Sequence, residues 1–219
     1  MDSAVIQLLV LAGIAVFLIL KLRNALGTRD GYERPPVPSS GSGPTPRQGF
    51  EVIQGGEDHD ITDHVPANSE SAKALAEMKR IEPNFNVSEF LGGARGAYEM
   101  ILMGFENGEL DDLVPFLSRD VFESFDEVVQ LREREGLSVE ANFVGLRELS
   151  LTEATLDPNT REAQITIRFV GELTSVIRDR AGAIVEGDAN TIKQQRDIWT
   201  FARVMGSDNP NWRLVGTED

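Results

Sequence analysis

The sequence predicts an α+β protein in which helices pack on one face of a bent antiparallel sheet, behind an N-terminal transmembrane helix and a flexible linker. Apolar residues recur at helical spacing from residue 71 to residue 135, and at a period of two after Leu137. Residues 197–217 hold both tryptophans in two alternating segments around the turn formers of residues 206–210, which predicts a closing hairpin. Large aromatic side chains need a surface to bury against, so the C-terminal half should form the sheet that the helices cover.

Composition and charge exclude several classes of function. The chain has 219 residues, of which 41% are hydrophobic, so a packed core is possible. Its net charge is −15, from 21 basic and 36 acidic side chains, which argues against nucleic acid as a partner and against simple electrostatic adhesion to anionic lipid. There is no cysteine, which excludes disulfides, zinc–thiolate sites and cysteine nucleophiles.

An uncharged apolar run at residues 4–20 predicts a transmembrane anchor over residues 4–22. A buried core helix is disfavoured because a linker rich in proline and glycine follows the run. A cleaved signal peptide would need a basic start, and the residue found there is Asp2. The basic residues all follow the run, so the N-terminus should lie outside and the rest in the cytoplasm of a bacterium, anchored in its inner membrane. They are Lys21, Arg23, Arg29 and Arg34.

Residues 23–70 are predicted to be a disordered linker, because prolines and glycines interrupt every periodicity. Both histidines, His59 and His64, lie in its acidic part. They are interpreted as members of a solvated tether and not as metal ligands, since no second ligand cluster lies near them in sequence. No metal or cofactor is therefore expected.

Residues 71–82 form a predicted helical lead-in with Leu75 and Met78 on its apolar stripe. Its basic side, made of Lys73, Lys79 and Arg80, is the candidate contact for lipid or a protein partner. The alternative is that this helix simply packs on its own domain.

The domain proper is predicted over residues 83–219 and is expected to fold without the anchor. Its first helix should be capped by Asn86, stapled by Phe85 against Phe90, and ended by Gly108. Three glycines near its start predict an element packed closely against that side. They are Gly92, Gly93 and Gly96. A short helix over residues 110–117 and a helix capped by Ser118 should follow, the latter with Phe122, Phe125, Val128 and Val129 on its apolar face.

The strands are predicted from alternation, with a bend at Gly145 and turns at residues 157–159 and 180–182. In the closing hairpin, the predicted anchors of the fold are Trp199, Phe201 and Trp212.

Several of these segments resemble the Tim-forty-four-like (Tim44-like) domain. The most specific are Asp-Ile-Trp-Thr-Phe-Ala-Arg at 197–203 and Asn-Pro-Asn-Trp at 209–212; the others are 85–94, 107–110, 131–136, 165–170 and 186–188. The resemblance covers residues 84–217, and the layout is closest to the membrane-anchored alphaproteobacterial adaptors of this family. It implies a cone-shaped fold like that of nuclear transport factor two. It also implies a non-enzymatic role in membrane-protein biogenesis, translocation or envelope assembly. In place of the long N-terminal region of the mitochondrial relatives, this sequence is expected to carry an anchor and a short tether, so their chaperone and channel partners are not carried over.

The leading hypothesis is therefore an adaptor that binds an unidentified protein. The alternative is a protein that binds a small molecule or lipid in a cone-shaped pocket, with an enzyme ranked below it. Acid–base chemistry in such a pocket would need a histidine, or an aspartate beside a tyrosine. The domain offers only Tyr98 as a tyrosine, and Asp188 and Asp197 are interpreted as turn or strand-end residues. No catalytic residue is predicted.

Overall fold

Helices precede strands in the part of the chain that the computed structural model describes, residues 58–218. The helices are α1 (His59–Thr62), α2 (Glu70–Ile81), α3 (Val87–Asn107), a 3-10 helix (Asp111–Phe116) and α4 (Arg119–Glu135). The strands are β1 (Ser138–Leu156), β2 (Glu162–Arg178), β3 (Ile184–Val204) and β4 (Arg213–Glu218). The predicted anchor and most of the predicted linker lie outside the described residues. Within residues 58–218, no helix combines the length and apolarity needed to cross a membrane.

The four strands form one antiparallel sheet in the order β1-β2-β3-β4. The helices pack on one face of it, so the predicted α+β class is confirmed. Strand β1 changes register against β2 at three places, the first between Phe143 and Gly145. A bulge increases the local bend and twist of a strand, and the bend predicted at Gly145 is confirmed.

The folded part begins earlier than the sequence analysis predicted. Residues 58–70, assigned there to the linker, contain α1, whose Ile61 is buried, and Val65, which is buried with it. Asp60 accepts hydrogen bonds from the backbone N–H groups of Val87 (2.7 Å) and Ser88 (3.0 Å), and so caps the start of α3. Sequence periodicity missed this segment because it supplies only two core side chains and its polar partners, Lys79, Val87 and Ser88, lie about 19 to 28 residues away.

Helix α2 is an integral layer of the domain. Leu75 and Met78 are fully buried on its apolar stripe. The N–H of Ala154 in β1 donates to Ser71 Oγ at 3.1 Å, so the helix also covers part of the edge of β1. A fragment of residues 83–219 would lose both the packing and this edge protection, which makes the predicted boundary at residue 83 too late.

Helix α3 begins and ends as predicted. Asn86 Oδ1 accepts from the N–H of Glu89 at 2.8 Å, and the rings of Phe85 and Phe90 lie 6.3 Å apart. Gly108 ends the helix with φ of 76°, a left-handed conformation that glycine adopts without strain.

The prediction about the glycines of α3 was wrong. Nothing lies within 4 Å of a Cβ built on Gly92, Gly93 or Gly96, and all three are exposed. The close approach occurs instead at Gly104, where a Cβ would meet the Leu113 side chain at 2.9 Å. A glycine pattern in sequence does not reveal which side of a helix faces a neighbour.

Helix α4 is capped by Ser118 as predicted, and its buried side chains are Val121, Phe125 and Val129. The predicted apolar face was rotated by about one residue, since Phe122 and Val128 are only half-buried. In the closing hairpin, Trp199 and Phe201 belong to the core at 3% and 2% exposure. Trp212 precedes β4 and is half-buried against Phe85 and Phe90.

Candidate functional site

A polar pair joins α3 to the sheet inside the core. The hydroxyl of Tyr98 donates to Asp197 Oδ2 at 2.5 Å, and Gln195 Nε2 donates to Asp197 Oδ1 at 3.0 Å. Tyr98 is completely buried and Asp197 is 4% exposed. Asp197 lies well inside β3, so its interpretation as a turn or strand-end residue was wrong. Sequence alternation marked position 197 as core-facing, since it shares a side with Trp199 and Phe201.

Aromatic rings enclose the pair. Tyr98 stacks on Phe169 with centroids 4.4 Å apart and contacts Trp199 at 4.7 Å and Phe143 at 6.1 Å. Burial, with the hydrogen bond to Asp197 adding to it, raises the pKa of Tyr98 far above its usual range. The phenol therefore stays protonated and acts as a fixed donor. Such a sealed pair holds a helix on a sheet, and a substrate could reach it only by displacing these rings.

The predicted basic contact residues of α2 all lie in ion pairs. Lys73 pairs with Glu70 at 2.7 Å, and Arg80 pairs with Glu77, in each case on the exposed surface of the same helix. Lys79 lies between Asp58 (2.7 Å) and Asp60 (2.8 Å), with its side chain 20% exposed. It therefore joins α2 to the cap of α3, and only Lys73 and Arg80 remain available to lipid.

The histidines stand apart from any candidate site. His64 Nε2 lies 3.2 Å from Ser88 Oγ, while His59 is exposed at the start of α1. Within residues 58–218, no three His, Cys, Asp or Glu side chains are grouped as ligands for a metal ion.

A groove opens between the end of α3, the 3-10 helix and α4, with a cavity volume of about 630 Å³. We name it the α3–α4 groove. It is lined by Gly108, Glu109, Leu110, Asp111, Asp112, Phe122, Asp126, Val129, Gln130 and Glu133. The α4 members recur at spacings of three and four, so they form one face of that helix. Sequence patterns did not indicate this site, because its residues come from the turn after α3, the 3-10 helix and α4, and each segment by itself resembles an ordinary solvated helix end.

The groove combines a negative rim with an apolar floor. Leu110 and Val129 are buried at 6% and 8% exposure, and Phe122 is half-buried between them and solvent. Five carboxylates surround this floor: Glu109, Asp111, Asp112, Asp126 and Glu133. Among residues 58–218, no lysine or arginine forms a salt bridge with any of them.

The cations of the last turn of α4 do not neutralise the groove. Arg132 directs its guanidinium to the backbone carbonyl of Phe105 (3.3 Å) and to Glu106 (3.6 Å), and covers the Phe105 ring at 4.7 Å. Arg134 is not among the lining residues. Helix α3 carries no basic residue in its own last turn, where the negative end of its dipole meets the groove.

The match of this chain to known proteins spans most of the described fold. Residues 71–219 match the family model of the Tim44-like domain. This chain belongs to the Tim44-like domain family. The resemblance noted in the sequence is thus confirmed, and the matched region runs from α2 to β4.

Curated relatives of this Tim44-like protein are the mitochondrial import inner membrane translocase subunit TIM44 of Homo sapiens, at 23% identity, and of Rattus norvegicus, at 21%. Each match covers 159 residues, 71% of this chain and 35% of the relative. The chain therefore matches about a third of the length of these relatives. Among solved structures, the intermembrane space region of the chloroplast protein ARC6 is similar with a TM-score of 0.37 at 12% identity, covering 66% of this chain and 94% of that one. That likeness is too loose to bear on function.

The Tim44-like match and the folded unit have different starting points. The family model begins at residue 71, within the first turn of α2, whereas α1 and the capping residue Asp60 precede it. In this protein the segment before the matched region completes the domain, because it caps α3 and pairs with Lys79.

Proposed function

We propose that this protein is a single-pass adaptor of the bacterial inner membrane whose Tim44-like domain binds another protein during membrane-protein biogenesis, translocation or envelope assembly. The observation that carries the proposal is the extent of the family match, which takes in every strand and every long helix of the described fold. The relatives named as subunits of a translocase align with this chain over 159 residues. The step from this shared domain to the role of holding a partner at a membrane is an analogy with these relatives, which the experiments below test directly.

The proposed membrane topology is supported by the distribution of charge around the apolar run. Residues 4–22 would form the anchor, with the N-terminus outside, the residues after it a tether, and the domain from about residue 58 in the cytoplasm. The basic residues after the anchor support this orientation, since short flanks obey the positive-inside rule most reliably. The net charge of −15 would keep the domain away from anionic lipid, within reach of proteins near the membrane.

The domain also suits the proposed cone-shaped fold like that of nuclear transport factor two. Three register changes bend β1, and α3 lies against the sheet with Tyr98 at the centre of the contact. Between α3 and the sheet, the ring of Tyr98 packs on those of Phe143, Phe169 and Trp199. We therefore prefer a binding role at the surface to small-molecule binding or catalysis inside the domain.

Topology is tested by proteolysis of spheroplasts. Protease added outside should leave the domain intact, and should cut it only after the membrane is broken. A domain digested in intact spheroplasts, or a mature N-terminus that begins beyond Leu20, would contradict the cytoplasmic placement.

Partner binding is tested by site-specific photo-crosslinking in cells. A photoreactive residue would replace Gln130 in the groove, Ala76 on the exposed side of α2, or Thr152 on β1, three exposed positions on different elements. An adaptor should give at least one discrete adduct with another protein, and the adduct should depend on irradiation. The absence of adducts at all three positions would count against the adaptor function.

A further inference from the structure

We propose that the α3–α4 groove binds a cationic segment of a partner protein, in which lysine or arginine residues flank an apolar side chain. The inference rests on the proposed adaptor function and names the chemistry of the partner and the surface that receives it. It depends on three properties of the groove, which are its charge, its floor and its size.

The negative charge of the groove favours the binding of a cation. Its five carboxylates line one opening and have no salt-bridge partner among residues 58–218. The negative end of the α3 dipole lies at the same place, next to Gly108. The field of a domain with excess negative charge would also accelerate the approach of a basic segment.

The apolar floor of the groove favours an apolar contact beside the charged ones. Leu110, Phe122 and Val129 offer carbon surface beneath the carboxylates, and Phe122 is still half-exposed. Lysine and arginine can lay their methylene stems on such a surface while their charged ends reach the rim. One apolar side chain of the partner would cover Phe122 and remove it from water.

Size and shape favour a segment of polypeptide. A volume of about 630 Å³ lies within the range of ligand sites, but the groove is partly open to solvent, and residues 58–218 do not enclose it as they would a small-molecule pocket. Nucleic acid and a second copy of this chain are both anionic, so each would be repelled by the rim.

The test uses the full chain in detergent and a fluorescein-labelled peptide of twelve residues with four lysines and four leucines. Two matched peptides serve as controls, one with every lysine replaced by glutamine and one with every leucine replaced by serine. Fluorescence anisotropy at an ionic strength near 0.1 M gives the Kd of each. The parent peptide should bind at least about tenfold more tightly than either control, as expected where several exposed charge pairs and an apolar contact act together.

Two triple variants locate the binding site. The groove variant combines Glu109→Gln, Asp111→Asn and Asp112→Asn. The matched control removes the same charge from exposed positions elsewhere, by Asp63→Asn, Glu153→Gln and Asp208→Asn. The groove variant should bind the parent peptide about tenfold more weakly, and the control within about twofold of the original chain. Thermal melting of each protein verifies that both triple variants remain folded.

Three results would overturn the assignment: equal losses in the two triple variants, a serine peptide that binds as tightly as the parent, or no binding of the parent peptide. The first would mean attraction to net charge alone, and the second would mean that the floor takes no part. The adaptor function is judged separately by photo-crosslinking. If adducts form at Ala76 or Thr152 while the peptides ignore the groove, the adaptor function stands and the groove assignment fails.

Discussion

Replacing Tyr98 by phenylalanine tests whether the buried pair holds α3 on the sheet. The change removes one oxygen and keeps the ring that stacks on Phe169, so it leaves no cavity larger than a hydroxyl group. Asp197 loses the 2.5 Å hydrogen bond and keeps the one from Gln195.

A buried hydrogen bond to a carboxyl group contributes about 1–3 kcal/mol, because its loss removes one donor from a group that water cannot reach. We expect Tyr98→Phe to lower the free energy of unfolding by about 2 kcal/mol. For a domain of this size that corresponds to a fall of roughly 4–8 °C in Tm. Urea titration of residues 58–219, followed by tryptophan fluorescence, measures the same quantity independently.

A substitution at Gly171, which faces Tyr98, tests the same contact by a double-variant comparison. A Cβ at this position would lie 2.7 Å from Tyr98 Oη and 3.0 Å from Cε1, and Tyr98 is too tightly enclosed to move aside. Gly171→Ala should therefore lower the free energy of unfolding of the original protein by about 1–3 kcal/mol. In the Tyr98→Phe variant, which lacks the hydroxyl, the same change should lower it by less. The double variant should then be more stable than the sum of the two single changes predicts, by about 1 kcal/mol. Additive effects, or a Tyr98→Phe variant that melts with the original protein, would refute this account of the core.

Three further predictions concern stability. Partial burial would by itself raise the pKa of Asp60, but hydrogen bonds from Lys79 and from two backbone N–H groups outweigh it and hold the pKa well below its usual range. The stability from Asp60 is therefore present above about pH 4 and lost as the pH falls further, so Asp60→Asn should flatten the loss of stability between pH 5 and pH 2. Trp199→Ala should cost about 3–5 kcal/mol, the range for a buried aromatic, and Trp212→Ala only about 2–3 kcal/mol because Trp212 is half-buried. A fragment of residues 58–219 should melt cooperatively, while residues 83–219 should melt at a lower temperature or aggregate, since the latter exposes the sheet face that α2 covers.

Each of these predictions has a result that contradicts it. Identical pH profiles for Asp60→Asn and the original protein would show that the cap of α3 does not depend on that carboxylate. If Trp212→Ala were less stable than Trp199→Ala, the hairpin core would be centred on Trp212 and not on Trp199. Equal melting temperatures for the two fragments would mean that α1 and α2 are not integral to the domain.

Local features of the fold could be predicted from sequence because their causes are local. The caps at Asn86 and Ser118 and the helix end at Gly108 each depend on a few neighbouring residues. The strands at Ile165 and Trp199 follow from alternation, which any sheet with one covered face imposes.

Features that depend on distant residues could not be predicted. The bond between Tyr98 and Asp197 joins residues 99 apart, and the cap of Asp60 on Val87 spans 27. An aspartate in the sequence does not indicate which distant residue it will bind, and most aspartates lie at the surface. Lys79 is a further case in which distant partners could not be predicted. Its place on a basic helix suggested an outward contact, but Asp58 and Asp60 bind it within the domain.

The α3–α4 groove shows why a function can be harder to predict than a fold. Three of its carboxylates lie within residues 109–112 and the other two on α4, and the former have an ordinary explanation, since Asp111 and Asp112 begin a 3-10 helix. Acidic residues near a helix start are stabilised by the dipole whether or not they bind anything. Only the fold reveals that these groups share one opening with Asp126 and Glu133, and that no described cation pairs with them. A surface that collects like charges without neutralising them carries an electrostatic cost in the isolated domain, and a cationic partner would relieve it. The pair of Tyr98 and Asp197, in contrast, is hydrogen-bonded within the domain, so the partner surface and the stabilising pair can be altered independently of each other.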